Sequence, residues 1–291
     1  MPELPDLTVV AEAFHAALAG RRISSAVTHA PLAVRGTPAE LAGLVGREVR
    51  SIDQRGKFLL VELDHDRVVF NPMLTGRFQL ARPGAKLPTK TALVLGFGPR
   101  AAAATRGVAR WTKGADWLPT DDQAVEVRYR DPTQMGKVYL VPEGTDRPVA
   151  GLDAELGPDA DDPALTLAAW QERIRRHPGE LKNLLKNQAF IAGIGNAYSD
   201  EILHAARLLP FRRRSTLAPE EVAALHAATR ATLSDAIGVL RERVPPTFET
   251  QVRDFLAVHN KGGQPCPRCG TRISEVSPGG FVTSFCRGCQ R

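Results

Sequence analysis

The spacing of hydrophobic positions changes character along the chain. In "PDLTVVAEAFHAALAG", Leu7, Val10, Phe14 and Leu18 recur at helical intervals, with Asp6 as cap and Gly20 as stop, so the chain opens on a helix. From about residue 22 to 140 the texture turns to short β-branched or aromatic runs between turn residues: "FLLVEL", "RVVFNPM", "TALVLGFG", "VEVRYRD" and "KVYLV". That pattern predicts an antiparallel sandwich or barrel. A stretch rich in Pro, Gly and Asp, residues 141–163, then reads as a linker. Helical spacing returns in "LTLAAWQERIRRH", "ELKNLLKNQ", "SDEILHAARLL" and "PEEVAALHAATRATLSDAIGVLRERV". The reading is an α+β chain: a helix-led β domain over 1–140, a helical domain over 164–257, and a tail over 258–291 too short and polar to hold a core without a metal.

Composition narrows the class. With 291 residues and 43% hydrophobic content this is a folded protein. No apolar run approaches a membrane span and the N-terminus lacks a signal-peptide pattern, so a cytoplasmic, and if bacterial a nucleoid-associated, protein is expected. A net charge of +6 and a pI near 9.4 favour a polyanionic partner, nucleic acid first.

All four cysteines lie near the C-terminus, as Cys266-x2-Cys269 and Cys286-x2-Cys289. Two such knuckles can surround one tetrahedral Zn²⁺ with four thiolates and fold the hairpin between them. Two disulfides are the alternative, and nothing in the sequence suggests export. In "FIAGIGNAYSDEIL", Gly193 and Gly195 let backbone approach closely and Asn196 stands where a helix begins, an arrangement that serves a phosphate or simply caps a helix. Lys182 and Lys186 follow at helical spacing, either a solvated face or one turned to nucleic acid. Lys57, at the start of a strand in "QRGKFLLVEL", is edge protection or a cation held on a rigid element. Removal of Met1 before the small Pro2 would leave a secondary amine beside the Glu3 carboxyl.

Together "PELP", "RGKFLLVEL", "GIGNAYSDE", "GGQPCPRCG" and "FCRGCQ", in that order along almost the whole chain, resemble the formamidopyrimidine-DNA glycosylase and endonuclease VIII family of base-excision repair enzymes. The resemblance implies an N-terminal β-sandwich led by a helix, a helix-two-turn-helix domain and a β-hairpin zinc finger, acting on DNA held between the halves as a monomer. It implies that Pro2 attacks the sugar of a flipped nucleotide to form a Schiff base, that Glu3 protonates the ring oxygen, and that Lys57 holds a phosphate near the lesion. Lys182 and Asn196 would contact the DNA backbone, and Cys266, Cys269, Cys286 and Cys289 would bind one structural zinc.

The sequence departs from the family pattern at four places, the mildest in the initial helix, where Asp6 replaces the usual glutamate and Thr8 a later one. Where the finger carries a phosphate-gripping arginine, this chain has Phe281 in "GGFVTSFC", a ring expected to pack on the finger or stack on a base, with Lys261 or Arg272 as candidate replacements for the charge. "NPMLTG" puts Leu74 at the position of a wedge methionine, and "DPTQMG" puts Thr133, Gln134 and Met135 in place of Arg, Arg and Phe. Leu74 and Met135 can still wedge a base stack. Oxidised purines, oxidised pyrimidines and bulkier adducts all stay open as substrates, as does β- against β,δ-elimination. The rival expectation is a relative that recognises damaged duplex without cutting it; a zinc-ribbon module on an unrelated helical protein leaves "PELP" and "GIGNAYSDE" unexplained.

Overall fold

The computed structural model describes the whole chain except residues 103, 105–106, 108–114, 154–155 and 278–279. Part of the expected linker and the start of the finger segment "GGFVTSFC" therefore lie outside the described residues. The chain forms two compact units, Met1–Asp153 with Ile237–Val252, and Ala154–Ala236 with Arg253–Arg291.

The first unit begins with α1, Leu4–Leu18, whose apolar stripe Leu7, Val10, Phe14 and Leu18 is buried. Its cap is Glu3 rather than Asp6. Asp6 sits one turn in, and its Oδ2 accepts the Glu3 amide at 2.8 Å, satisfying a backbone donor at the helix start. At the other end Gly20, at φ 79°, turns the chain away in the left-handed region. Two arginines occupy the last carbonyls: Arg21 Nε donates to Ala17 O at 2.8 Å, and Arg100 donates to Ala16 O, Ala17 O and Ala19 O. Cations at a helix C-terminus complement its partial negative charge.

The strands are β1 Ile23–Thr28, β2 Val34–Arg35, β3 Val49–Arg55, β4 Phe58–Leu63, β5 Arg67–Asn71, β6 Arg77–Ala81, β7 Thr91–Phe97, β8 Val125–Arg130 and β9 Lys137–Val141, with a short helix α2, Pro38–Gly43, between β2 and β3. They make one sheet in the order β2-β9-β5-β4-β3 and another in the order β1-β7-β8-β6. Pairing is antiparallel except for the two-residue parallel match of β2 with β9. Phe70 of the first sheet meets Phe78 and Tyr129 of the second with ring centroids 5.4 and 5.5 Å apart, and Phe14 of α1 lies 5.8 Å from Phe78. The core of this unit is thus a stack of aromatic rings between two sheets and α1.

The second unit holds α3 Leu167–Arg176, α4 Leu181–Lys186, α5 Asn196–Ala205 and most of α6 Pro219–Arg243, followed by the hairpin β10 Ser274–Val276 and β11 Thr283–Phe285. Thr166 caps α3 by accepting the Ala169 amide. Trp170 and Phe190, both fully buried, meet edge to face at 5.0 Å. The end of α6 and the segment through Val252 belong to the first unit, where Arg241 forms a two-pronged ion pair with Glu12 and Phe248 packs 5.1 Å from Phe14. No helix among the described residues is long and apolar enough to cross a membrane.

Candidate functional site

Pro2 and Glu3 occupy the start of α1, the end opposite the arginine clamp. Both are buried, the Glu3 residue being 2% exposed. Pro2 lines a small cavity of about 30 Å³ with Asp6, Leu7, Val10, Gly76, Arg77 and the Val244–Gln251 segment. Two side chains organise its polar rim: Arg77 donates to Gln251 Oε1 at 3.0 Å, and Gln251 Nε2 donates to the Met1 carbonyl at 3.0 Å. Lys57 forms the β3–β4 turn with Gly56, which adopts φ 56°. That turn is tied back to α1, because Gln54 Nε2 donates to Gly56 O at 2.8 Å while the Thr8 hydroxyl reaches Gln54 Oε1 at 3.4 Å.

The loop between β5 and β6, carrying Leu74, and the loop between β8 and β9, carrying Thr133 and Met135, are joined by one buried carboxylate. Asp131 accepts from the Thr75 and Thr133 hydroxyls through Oδ1 and from the Gly136 amide at 2.7 Å through Oδ2, while the Thr75 and Thr133 oxygens stand 2.6 Å apart. Above this hub Leu74 is 40% and Met135 46% exposed, two large apolar tips left in solvent. The glycines matter here. A Cβ at Gly76 or Gly136 would fall 2.5 or 2.0 Å from the buried Tyr129 hydroxyl, so only glycine lets Tyr129 pass beneath both loops. That hydroxyl meets no hydrogen-bond partner among the described residues, and burial, with the Asp131 charge nearby, raises its pKa.

In the second unit the turn Gly193–Gly195 is braced by Gln188, which accepts the Gly193 amide and donates to Ile194 O. Upstream of that turn, the two lysines of α4 do not share one solvated face. Lys182 is only 4% exposed; its ammonium donates to Asp200 Oδ1 at 2.6 Å and to Val282 O at 2.9 Å, which corrects the solvated-face reading of this lysine. A buried lysine keeps its charge only when paired, and here the pair faces the finger. Asn196 Nδ2 donates to the same Val282 carbonyl at 2.7 Å, and its buried Oδ1 meets no donor among the described residues. Phe281, next to that anchored carbonyl, stays out of the finger core formed by Val258, Cys266, Ile273 and Cys286. Its ring is 57% exposed, with Lys186 Nζ 4.8 Å from its centroid. Arg272 is exposed, and Lys261 Nζ donates to Asp254 O at 3.0 Å.

The four cysteine sulfurs lie within 4.8 Å of one another, Cys269 to Cys286 at 3.4 Å and Cys266 to Cys289 at 3.9 Å. A tetrahedron with Zn–S bonds of about 2.3 Å demands edges of about 3.8 Å, so the cluster fits one four-thiolate zinc site. Hydrogen bonds from Thr271 draw the Cys269 thiol down to about 6, whereas burial pushes Cys289 up to about 12, so metal binding must displace a proton from the latter. Gly270, at φ 75°, makes the first knuckle, and the second is closed by Gln290 Oε1 accepting the Cys286 amide at 2.6 Å.

Comparison with known proteins agrees with this architecture throughout. Residues 1–138 match the formamidopyrimidine-DNA glycosylase N-terminal domain, 156–244 its H2TH domain, and 263–291 the zinc finger found in FPG and IleRS. A formamidopyrimidine-DNA glycosylase of Geobacillus kaustophilus is 31% identical over the full length of both chains, and one of Symbiobacterium thermophilum is 32% identical over all of this chain and 89% of its own. The chain belongs to the formamidopyrimidine-DNA glycosylase family. It is a DNA glycosylase of damaged-base repair whose finger holds one structural zinc. Among solved structures, a variant of Lactococcus lactis FPG in complex with a Fapy-dG containing DNA is similar with a TM-score of 0.82, 25% identity and full coverage of both chains.

Several residues of this glycosylase escaped the sequence reading. Asp200 accepts from Lys182, from His259 Nδ1 at 2.8 Å and from the Ser284 amide; Glu201 accepts three successive backbone amides, Ala257, Val258 and His259, at 2.7–2.8 Å. His204, buried one turn later, brings Nε2 within 3.3 Å of Cys266 Sγ, and burial lowers its pKa to about 4. The signal was present as acidic and imidazole side chains on an otherwise apolar helix in "SDEILHAA", but apart from Lys182, 18 positions before Asp200, their partners lie more than fifty residues away.

Proposed function

We propose that this glycosylase is bifunctional, removing a damaged base and then nicking the strand as an AP lyase through its N-terminal proline. Once Met1 is removed, the Pro2 amine attacks C1′ of a flipped nucleotide and the glycosidic bond breaks with departure of the base. Glu3 delivers a proton to the ribose ring oxygen, the ring opens, and a Schiff base links Pro2 to C1′. The iminium acidifies C2′–H, so loss of that proton expels the 3′ phosphate. An α-amino group titrates near 8, which leaves about a tenth of it nucleophilic at pH 7, far more than an ordinary lysine.

The observation that carries this chemistry is the lining of the small cavity by Pro2, directly before the buried Glu3, at the start of a helix whose far end is clamped by Arg21 and Arg100. A nucleophile and a proton donor on one rigid element lose little freedom on reaching the reactive geometry. Lys57 is assigned to a phosphate near the lesion, Leu74 and Met135 to the stack vacated by the flipped base, with Thr133 beside them, and Lys182 and Asn196 to orienting the finger segment that meets the backbone. Ring-opened purines are the first substrate class to try, since the relatives carry that name; 8-oxoguanine and oxidised pyrimidines follow.

The test is borohydride trapping on a duplex with one abasic site, using methionine-processed protein, Pro2→Gly and Glu3→Gln. A covalent adduct that maps to residue 2 by peptide mass is expected, with trapping strongly reduced rather than abolished in Pro2→Gly, whose N-terminal glycine still offers an α-amine. Binding without trapping would remove the lyase assignment.

A further inference from the structure

We infer that Lys186, seated on the face of Phe281, is a DNA phosphate contact at the finger tip, and that Phe281 is the positioning residue that aims it. This rests on the DNA-contact assignment above and deepens it by naming the cation.

Lys182 and Lys186 stand one helical turn apart on α4, yet their electrostatic states are opposite. The Lys182 ammonium is buried and neutralised by Asp200. Lys186, the last residue of α4, is half-buried, and no carboxylate pairs with it among the described residues. Among the described residues its ammonium rests on an aromatic ring. A ring quadrupole attracts an ammonium without cancelling its charge, and it occupies one side only, so the N–H donors on the other side stay free for an anion. A carboxylate in the same place would have consumed the charge.

The backbone that carries the ring is anchored. The Val282 carbonyl, the next group along the chain, receives both Lys182 Nζ and Asn196 Nδ2, which fastens this part of the hairpin to α4 and α5. The Phe281 backbone is therefore held in place, and its 57% exposed side chain, outside the finger core, presents its ring to Lys186. The other candidates for the charge are less suited: Lys261 donates to the Asp254 carbonyl, and Arg272 pairs by backbone bridge with Pro265 away from the segment anchored at Val282. Where the resemblance expects an arginine on the finger, this chain divides the job between a platform on the finger and a cation on α4.

The experiment is equilibrium binding of the full-length, zinc-loaded protein to a duplex bearing a non-cleavable abasic analogue, across a salt series. Lys186→Ala should weaken binding on the order of fivefold at low salt and lower the log–log salt slope by about 0.9, the release of one phosphate contact. Lys186→Arg should retain the slope. Phe281→Ala should weaken wild-type binding, add nothing in the Lys186→Ala background, and leave zinc content unaltered. Phe281→Arg in the Lys186→Ala background should restore the slope. An unchanged slope in Lys186→Ala, with wild-type protein binding the duplex, overturns the inference alone. A Phe281→Ala loss of equal size in both backgrounds means that the ring meets the DNA by itself and overturns the positioning role. Wild-type protein that ignores the duplex would sink the DNA-contact assignment, and this inference with it.

Discussion

Two buried aspartates organise the two units, and they do so by different electrostatics. Asp131 gathers neutral donors, two threonine hydroxyls and a glycine amide, and thereby joins the loops that carry Leu74 and Met135. Asp200 gathers the Lys182 ammonium, the His259 ring and the Ser284 amide, and thereby joins α4, α5 and the finger. Both residues are 1% exposed. The first network is a hydrogen-bond clasp; the second contains an ion pair whose halves cannot be separated without leaving a bare charge inside the protein.

The comparison breaks first at the metal. Stripping the zinc, or replacing Cys286 with Ser, should unfold the finger, because its core of Val258, Cys266, Ile273 and Cys286 is too small to stand alone. The expected result is loss of protection for finger amides in hydrogen exchange, while the β5 and β9 amides of the first unit keep theirs. Zinc release to a chelator should quicken as pH falls, since protons compete for the thiolates.

Next in size, Asp200→Asn should cost about 3–5 kcal/mol in urea unfolding of the second unit, because it strands Lys182. Asp131→Asn should cost only about 1–2 kcal/mol, since the threonine hydroxyls can turn and no charge is orphaned. Equal costs would mean that the Lys182–Asp200 pair is hydrated in solution and would remove the contrast. Smaller still, Leu74→Ala and Met135→Ala should alter stability by less than about 0.5 kcal/mol, as exposed side chains do. If they wedge a base stack, each should nonetheless weaken binding to abasic duplex, measured by anisotropy.

The smallest effect concerns a half-buried ion pair at the surface. The Arg147 side chain holds the Glu40 carboxyl down to about 2, with help from the Thr37 amide. A carboxyl depressed in the folded state contributes stability present above its unfolded value of about 4.3 and lost as pH falls toward 2. NMR titration of Glu40 should find its inflection well below those of unpaired glutamates, with a modest stability change because the group is solvated.

The sequence was most informative where a signal is local. The 3.6-residue stripe of α1, the alternation in "KVYLV", the turn glycines before Asn196 and the paired Cys-x2-Cys knuckles each depend on residues a few positions apart, and each appears in the structure as written. Local signals also misled when two neighbours competed: Asp6 has the chemistry of a cap, but Glu3 precedes it and takes that position, leaving Asp6 to accept the Glu3 amide. Lys182 and Lys186 looked alike because helical spacing says which face a residue is on and nothing about what comes to cover it.

The order of the motifs along the chain determined, by itself, the family, the zinc ligands and the candidates for catalysis at Pro2 and Glu3. Tertiary structure alone decided which charges remain available. Asp200 reaches Ser284 across 84 positions of sequence, Glu201 takes three amides from 257–259, and the Phe281 ring meets Lys186 rather than the finger core. Burial and pairing of a charge are set by through-space neighbours, and through-space neighbours this far apart leave no periodicity for a sequence to display.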